Sequence, residues 1–217
     1  MPTFSDLSRA AYCPRQLYYA RRDDDRGPPA EATARKQLAF RYDELRTADD
    51  ETLAGLPIRC SPADYRAALD GLSTRSDWEQ LCEPAERNYG VKGKDCHGRI
   101  HKLLAGEPPI PTVISPGMPP ENGVWEPQSV RAVAVANALA WDRQREIPHA
   151  LVEYPAVGVV REVELSCRRT ADYRRVLRTV QSMDGPPPRV NDNRCEPCEY
   201  RSECGVTTRS LKSLLGF

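Results

Sequence analysis

The segment RCEPCEYRSEC, residues 194–204, constrains this chain more than any other stretch. It spaces Cys195, Cys198 and Cys204 as C-x2-C-x5-C. A turn between two cysteines two residues apart points both sulfurs to one side, where they can grip one metal centre. A third cysteine five residues on closes over the same centre. Thiolates ligate both iron–sulfur clusters and structural zinc, and this spacing serves either. A trio this dense exceeds what average usage scatters by chance, which sets it apart from ordinary thiols in a tail. A fourth candidate donor, Cys13, lies far away in YCPRQLYY.

The other four cysteines, at 60, 82, 96 and 167, stand singly and read as buried small hydrophobes. Cys96 with His97 and His101 offers zinc only three donors and no second half. The N-terminal stretch MPTFSDLSRAAYCPRQLYY lacks the charged start and apolar core of a signal peptide, so a cytoplasmic protein is expected, with no membrane partner. In that compartment eight cysteines are not read as four disulfides. The longest apolar run, Ala132 to Trp141, is interrupted by Asn137 and is about half of what a membrane span needs.

A length of 217 residues suits a single domain with a lid. The expected division is a helical part over 1–88, a core over 89–183, and a cysteine lid and tail over 184–217. Helices are predicted over 4–20 with Ser5 as N-cap, 30–47, 61–72 with Ser61 and Pro62 at its start, and 74–87. Two short strands fall within 89–104 and another at 108–115. An alanine-rich helix follows over 128–145. Residues 150–157 and 159–166 read as a hairpin about Gly158, and a basic helix runs from Thr170 to Met183. The fold class is therefore α/β, a mixed domain with helical decoration.

A C-P-R-x-x-Y-Y cysteine near the start, combined with C-x2-C-x5-C near the end, resembles the fourth numbered family of CRISPR-associated proteins. These are RecB-like iron–sulfur exonucleases of the PD-(D/E)XK superfamily. The resemblance covers most of the chain and is sharpest at its two ends. It implies a restriction-endonuclease-like core with a helical insertion and a C-terminal iron–sulfur lid. It makes Cys13 the fourth ligand, with Cys195, Cys198 and Cys204, of a [4Fe–4S] cluster. It further implies metal-dependent cutting of single-stranded DNA and a role in CRISPR adaptation beside the integrase.

The family's chemistry needs an aspartate on one strand and Glu-x-Lys on the next, so that two carboxylates share a Mg²⁺ or Mn²⁺ ion and the lysine faces the attacking water. Gln-x3-Tyr on the following helix and a histidine on an earlier one usually assist. This chain departs at each place. In HGRIHKLL, His101 stands where the aspartate belongs; in TVISPG, Val113 and Ser115 take the glutamate and lysine positions. Ala132 and Ala136 replace the Gln and Tyr, and the early helix ARKQLAFRYDEL has no histidine. The chain has 26 arginines but five lysines, none between Lys102 and Lys212, so no other register supplies Glu-x-Lys. Glu107, Glu121, Glu126 and Glu153 are candidate metal-binding carboxylates, but no pair of them has a lysine at the required position.

Basic and acidic residues balance at 31 each, so DNA binding would need a local patch. Arg174 and Arg178 share one helical face with Arg175 beside them, and Arg15 joins them if the ends meet. Arginines near tyrosines suit phosphate contacts and base stacking. The expected protein binds single-stranded or frayed DNA, or docks on the integrase, without cutting. The alternatives are a working Mg²⁺- or Mn²⁺-dependent exonuclease using other residues, and a non-enzymatic adaptor whose surface binds protein.

Overall fold

The computed structural model describes residues 1–23, 27, 29–190 and 193–205. Part of the 21–29 connection, and residues 206–217 of the expected lid and tail, lie outside the described residues. In chain order the elements are α1 (Phe4–Tyr12), α2 (Pro14–Ala20), α3 (Ala30–Gln37), α4 (Tyr42–Arg46), α5 (Asp50–Ala54), α6 (Pro62–Ser73), α7 (Trp78–Cys82), β1 (Glu86–Lys92), β2 (His97–Leu104), β3 (Ile110–Ile114), α8 (Glu126–Arg143), β4 (His149–Tyr154), β5 (Val159–Glu164) and α9 (Cys167–Gln181). Three short 3₁₀ turns, Leu38–Phe40, Pro155–Val157 and Asn193–Cys195, connect them.

The fold is α/β. Its five strands form one mixed sheet in the order β1-β2-β3-β4-β5. Neighbours run antiparallel except β3 and β4, which are parallel. A parallel pair needs a crossover, and α8 supplies it. Alternation along the strands then sorts residues to two faces. Val113 and Val152, register partners on β3 and β4, join the core with α1, α8 and α9. Ile114 and Leu151 join a second core, with Leu38, Tyr42, Leu45, Tyr65, Leu69 and Leu81 from the 30–82 helices. The alanines of α8 let it lie close to the strands: a Cβ at Gly93, just beyond β1, would come within 2.6 Å of the Ala138 Cα.

Prolines account for two departures from the predicted elements. The helix expected over 4–20 breaks at Cys13, whose backbone is extended at φ −160°, ψ 113°. Pro14 forces this, because a proline ring disfavours helical geometry in the residue before it. Likewise, the helix expected over 74–87 shrinks to α7, since Glu83 precedes Pro84 and leaves the helical region. The N-cap of α1 is Thr3, not Ser5. Its hydroxyl accepts from the Asp6 N–H at 3.0 Å and its own N–H donates to the Asp6 carboxylate at 3.2 Å, a reciprocal capping box. Ser166, not Thr170, caps α9. Of the four single cysteines only Cys96 is buried; Cys60 and Cys82 are half-buried, and Cys167 is exposed at the first turn of α9.

Candidate functional site

Cys13, Cys195, Cys198 and Cys204 line a single pocket. The proline-forced joint between α1 and α2 sets Cys13 on one wall, and the turns of 193–205 set the trio on the other. Two reciprocal bonds across a separation of 182 residues hold the walls together. Arg194 Nη1 donates to the Tyr12 carbonyl at 2.6 Å, and the Tyr12 hydroxyl donates to the Arg194 carbonyl at 3.4 Å. Arg15 donates to the Pro187 carbonyl at 2.7 Å and to the Tyr19 hydroxyl at 3.2 Å. Tyr19 in turn donates to the Glu203 carbonyl at 3.1 Å and stacks on Tyr200. Tyr12 and Tyr19 of YCPRQLYY thus bond to the 193–205 segment.

All eight cysteines are free thiols. Burial raises the Cys198 pKa, and the nearby Cys13 and Cys195 raise it further, because a charge on one thiol disfavours a charge on the next. Among the described residues no His, Asp or Glu lines the pocket. Among the described residues no three His, Cys, Asp or Glu side chains converge at single-ion spacing. A four-iron cluster is wider than one ion and holds its thiolates further apart.

The five positions that the resemblance aligned with a nuclease centre lie on β2, on and just after β3, and on α8. Val113, Ala132 and Ala136 are buried among the apolar residues between β3 and α8. Ser115 is buried and its Oγ accepts from Gln128 Nε2 at 3.3 Å. His101 Nδ1 accepts the Ile114 N–H at 2.9 Å, which fixes the imidazole as a neutral structural acceptor. Burial drives its pKa well below the ordinary value, and the positive Arg131 and Lys36 push the same way. The spot carries cationic groups where Mg²⁺ chemistry requires anionic ones, so these residues do not fit a divalent ion.

That buried imidazole has a pH consequence. The unfolded chain takes up a proton near pH 6.5 that the folded His101 refuses, so stability should fall as pH drops below about 6.5, by at most about 1.4 kcal/mol per pH unit. Urea unfolding between about pH 7 and 5 should show a shallower decline for His101→Gln than for the unsubstituted chain. Parallel declines would mean that His101 titrates normally in the fold.

The spare carboxylates are dispersed. Glu107 pairs with Arg145, and Glu126 with Arg175 at 2.6 Å. Glu153 is fully buried on the opposite face of the sheet from Val113. There Lys102 Nζ donates to Glu153 Oε2 at 2.8 Å and to the Ala39 and Leu81 carbonyls, each at 2.6 Å. Thr112 Oγ1 donates to Glu153 Oε1 at 2.7 Å. Burial lowers the Lys102 pKa, against the pull of Glu153. Both Lys102 and Glu153 thus serve the fold.

The arginines expected to touch DNA divide. Arg174, Arg175 and Arg178 are exposed on α9, while its buried face carries Tyr173, Val176, Leu177 and Val180. Arg175 is met by Glu126 and, at 3.4 Å, by Asp172. Arg15 instead lines the cysteine pocket. Residues that the sequence did not single out are Arg9, Trp125 and Arg131, which line a cleft with Tyr12, Gln128 and Arg194. Lys36 and Arg131 gave no signal because they lie on different helices and meet only through the fold. No helix among the described residues is long and apolar enough to cross a membrane. The sequence matches no protein-family model and no curated protein at the level that marks a relative.

Proposed function

We propose that this chain is a non-cutting DNA-binding protein. In this reading it carries a [4Fe–4S] cluster on Cys13, Cys195, Cys198 and Cys204, on a restriction-endonuclease-like frame whose metal centre has been dismantled. The observation that carries the reading is the pooling of these four thiols, from opposite ends of the sequence, around one pocket. The donor set fits the group: four sulfurs, no competing carboxylate among the described residues, and Arg15, Arg194 and Arg201 on the same walls to balance thiolate charge. When bound, such a cluster supplies iron–thiolate bonds and a one-electron couple. The cavity measures about 20 Å³, roughly one water's room, so seating it requires the 193–205 turns to move outward.

The non-cutting half rests on Val113, Ser115, Ala132 and Ala136, which offer a metal no carboxylate, and on the positive surroundings of His101. Positioning and charge stabilisation do most of the work in metal-assisted phosphodiester cleavage, and neither can arise there. The resemblance of the two cysteine segments extends the proposal to a supporting role in CRISPR adaptation.

Anaerobic purification followed by iron and sulfide analysis tests the cluster, with about four of each expected per chain. Zinc in place of iron would overturn that assignment. Labelled single-stranded DNA should stay intact with Mg²⁺ or Mn²⁺ while binding the protein, more weakly as salt rises. Metal-dependent degradation that persists through purification would restore the exonuclease alternative, and absence of binding at low salt would favour the adaptor.

A further inference from the structure

A cleft of about 680 Å³ opens between α1 and the start of α8. Arg9 and Tyr12 line it from α1, Trp125 and Arg131 from α8 and its cap, and Arg194 from beside the cysteine trio. Among the described residues its one acidic side chain, Glu126, is already engaged by Arg175 at 2.6 Å.

Arg131 is the anomaly. Among the described residues no carboxylate pairs with it, and its Nε is buried without an acceptor. Loss of water alone brings its pKa down to about 10, and its neighbour Lys36 shares the repulsion. Arg131 is half-buried, open to the cleft at one end and closed over its Nε at the other, and a guanidinium partly withdrawn from water without a counter-charge calls for a partner. An anion from outside satisfies both requirements. The planar donor fork suits a phosphate oxygen pair. The start of α8 adds to the attraction through its helix dipole, since Trp125 caps it without a side-chain bond. Beside this floor Trp125 is 53% exposed, with its indole N–H fixed on the Met118 carbonyl at 2.9 Å. An exposed, anchored aromatic next to a phosphate site is a stacking platform for a base.

We infer that this cleft holds single-stranded DNA, with one phosphate on Arg131 and Arg9 and an adjacent base against Trp125. The inference rests on the DNA-binding half of the proposed function and moves the principal contact from the α9 arginines to the cleft.

Fluorescence anisotropy of a labelled oligothymidylate tests it over a range of salt. Arg131→Gln should weaken binding roughly tenfold and reduce the salt slope by about 1. Trp125→Ala should weaken it roughly tenfold as well, and Trp125→Phe should retain most of the affinity. Substituting Arg174 and Arg178 together by alanine should weaken binding less than Arg131→Gln alone. Circular dichroism establishes that each variant is folded; should Arg131→Gln fail to fold, the exposed Trp125 pair decides. Binding by the unsubstituted chain that neither Arg131→Gln nor Trp125→Ala alters would overturn the cleft while leaving DNA binding in place. No binding by the unsubstituted chain would overturn both.

Discussion

Replacing Glu153 with glutamine is expected to lower folding stability by roughly 3–5 kcal/mol, the usual consequence of leaving one partner of a buried ion pair uncompensated. Lys102 is fully enclosed, and all three of its ammonium protons are spent, on Glu153 and on two carbonyls. Glutamine can still accept a hydrogen bond but supplies no charge. The folded Lys102 pKa, already lowered, should then fall further. The unfolded chain would hold a proton up to about pH 10.4 that the folded variant has released, so the variant should regain stability as pH rises towards that value. Urea unfolding followed by circular dichroism measures both effects. Substituting the pair together, Lys102→Met with Glu153→Leu, should recover much of the loss, since apolar replacements of similar volume often match a buried ion pair. If Glu153→Gln proved as stable as the parent, the pair would be making no net demand on the fold.

Cys198→Ala should abolish the brown iron–sulfur absorbance, whereas Cys167→Ala should leave it intact, because Cys167 is exposed on α9 and away from the pocket. The expected stability difference is also large. A tie between Cys13 and the trio closes a loop of roughly 180 residues, for which chain entropy alone gives about 5 kcal/mol. Metal binding available only to the folded state adds to this. Thermal melts of both variants and of the chelated parent should place Cys198→Ala with the chelated protein and Cys167→Ala with the untreated one. Equal iron content and equal melts for the two variants would remove Cys198 from the ligand set.

Local chemistry in this chain was readable where one short segment decides the outcome. Ser61 and Pro62 marked the start of α6, and Gly158, at φ +62°, marked the joint between β4 and β5. The cysteine spacing singled out the trio, and the structure sets Cys13 opposite it. What depended on strand order could not be read. Lys102 and Glu153 are 51 residues apart and sit on β2 and β4 with β3 between them, so nothing near either residue signals the pair. The gap without lysine between Lys102 and Lys212 leaves no Glu-x-Lys on the later strands, yet it gave no hint that Lys102 itself is the partner of one of the spare carboxylates. Arg131 was equally hidden: one arginine in an alanine-rich helix reads as a solvated face until Lys36 and His101 are brought beside it.

Packing of α1 against α8 and α9 also sets the order in which the molecule can be finished. In synthesis α1 precedes α8, and α9 follows all five strands, so Phe4, Leu7 and Ala10 must wait for the partners that bury them in the native state. Contacts this distant in sequence form slowly, and the waiting surface is open to misassociation. The polar frame of α1 suits that interval: the Thr3–Asp6 box closes the helix from within its own first turn, and Arg21 bonds Asp6 at 3.2 Å. The cap of α1 is thus made locally, while its apolar face waits for α8 and α9.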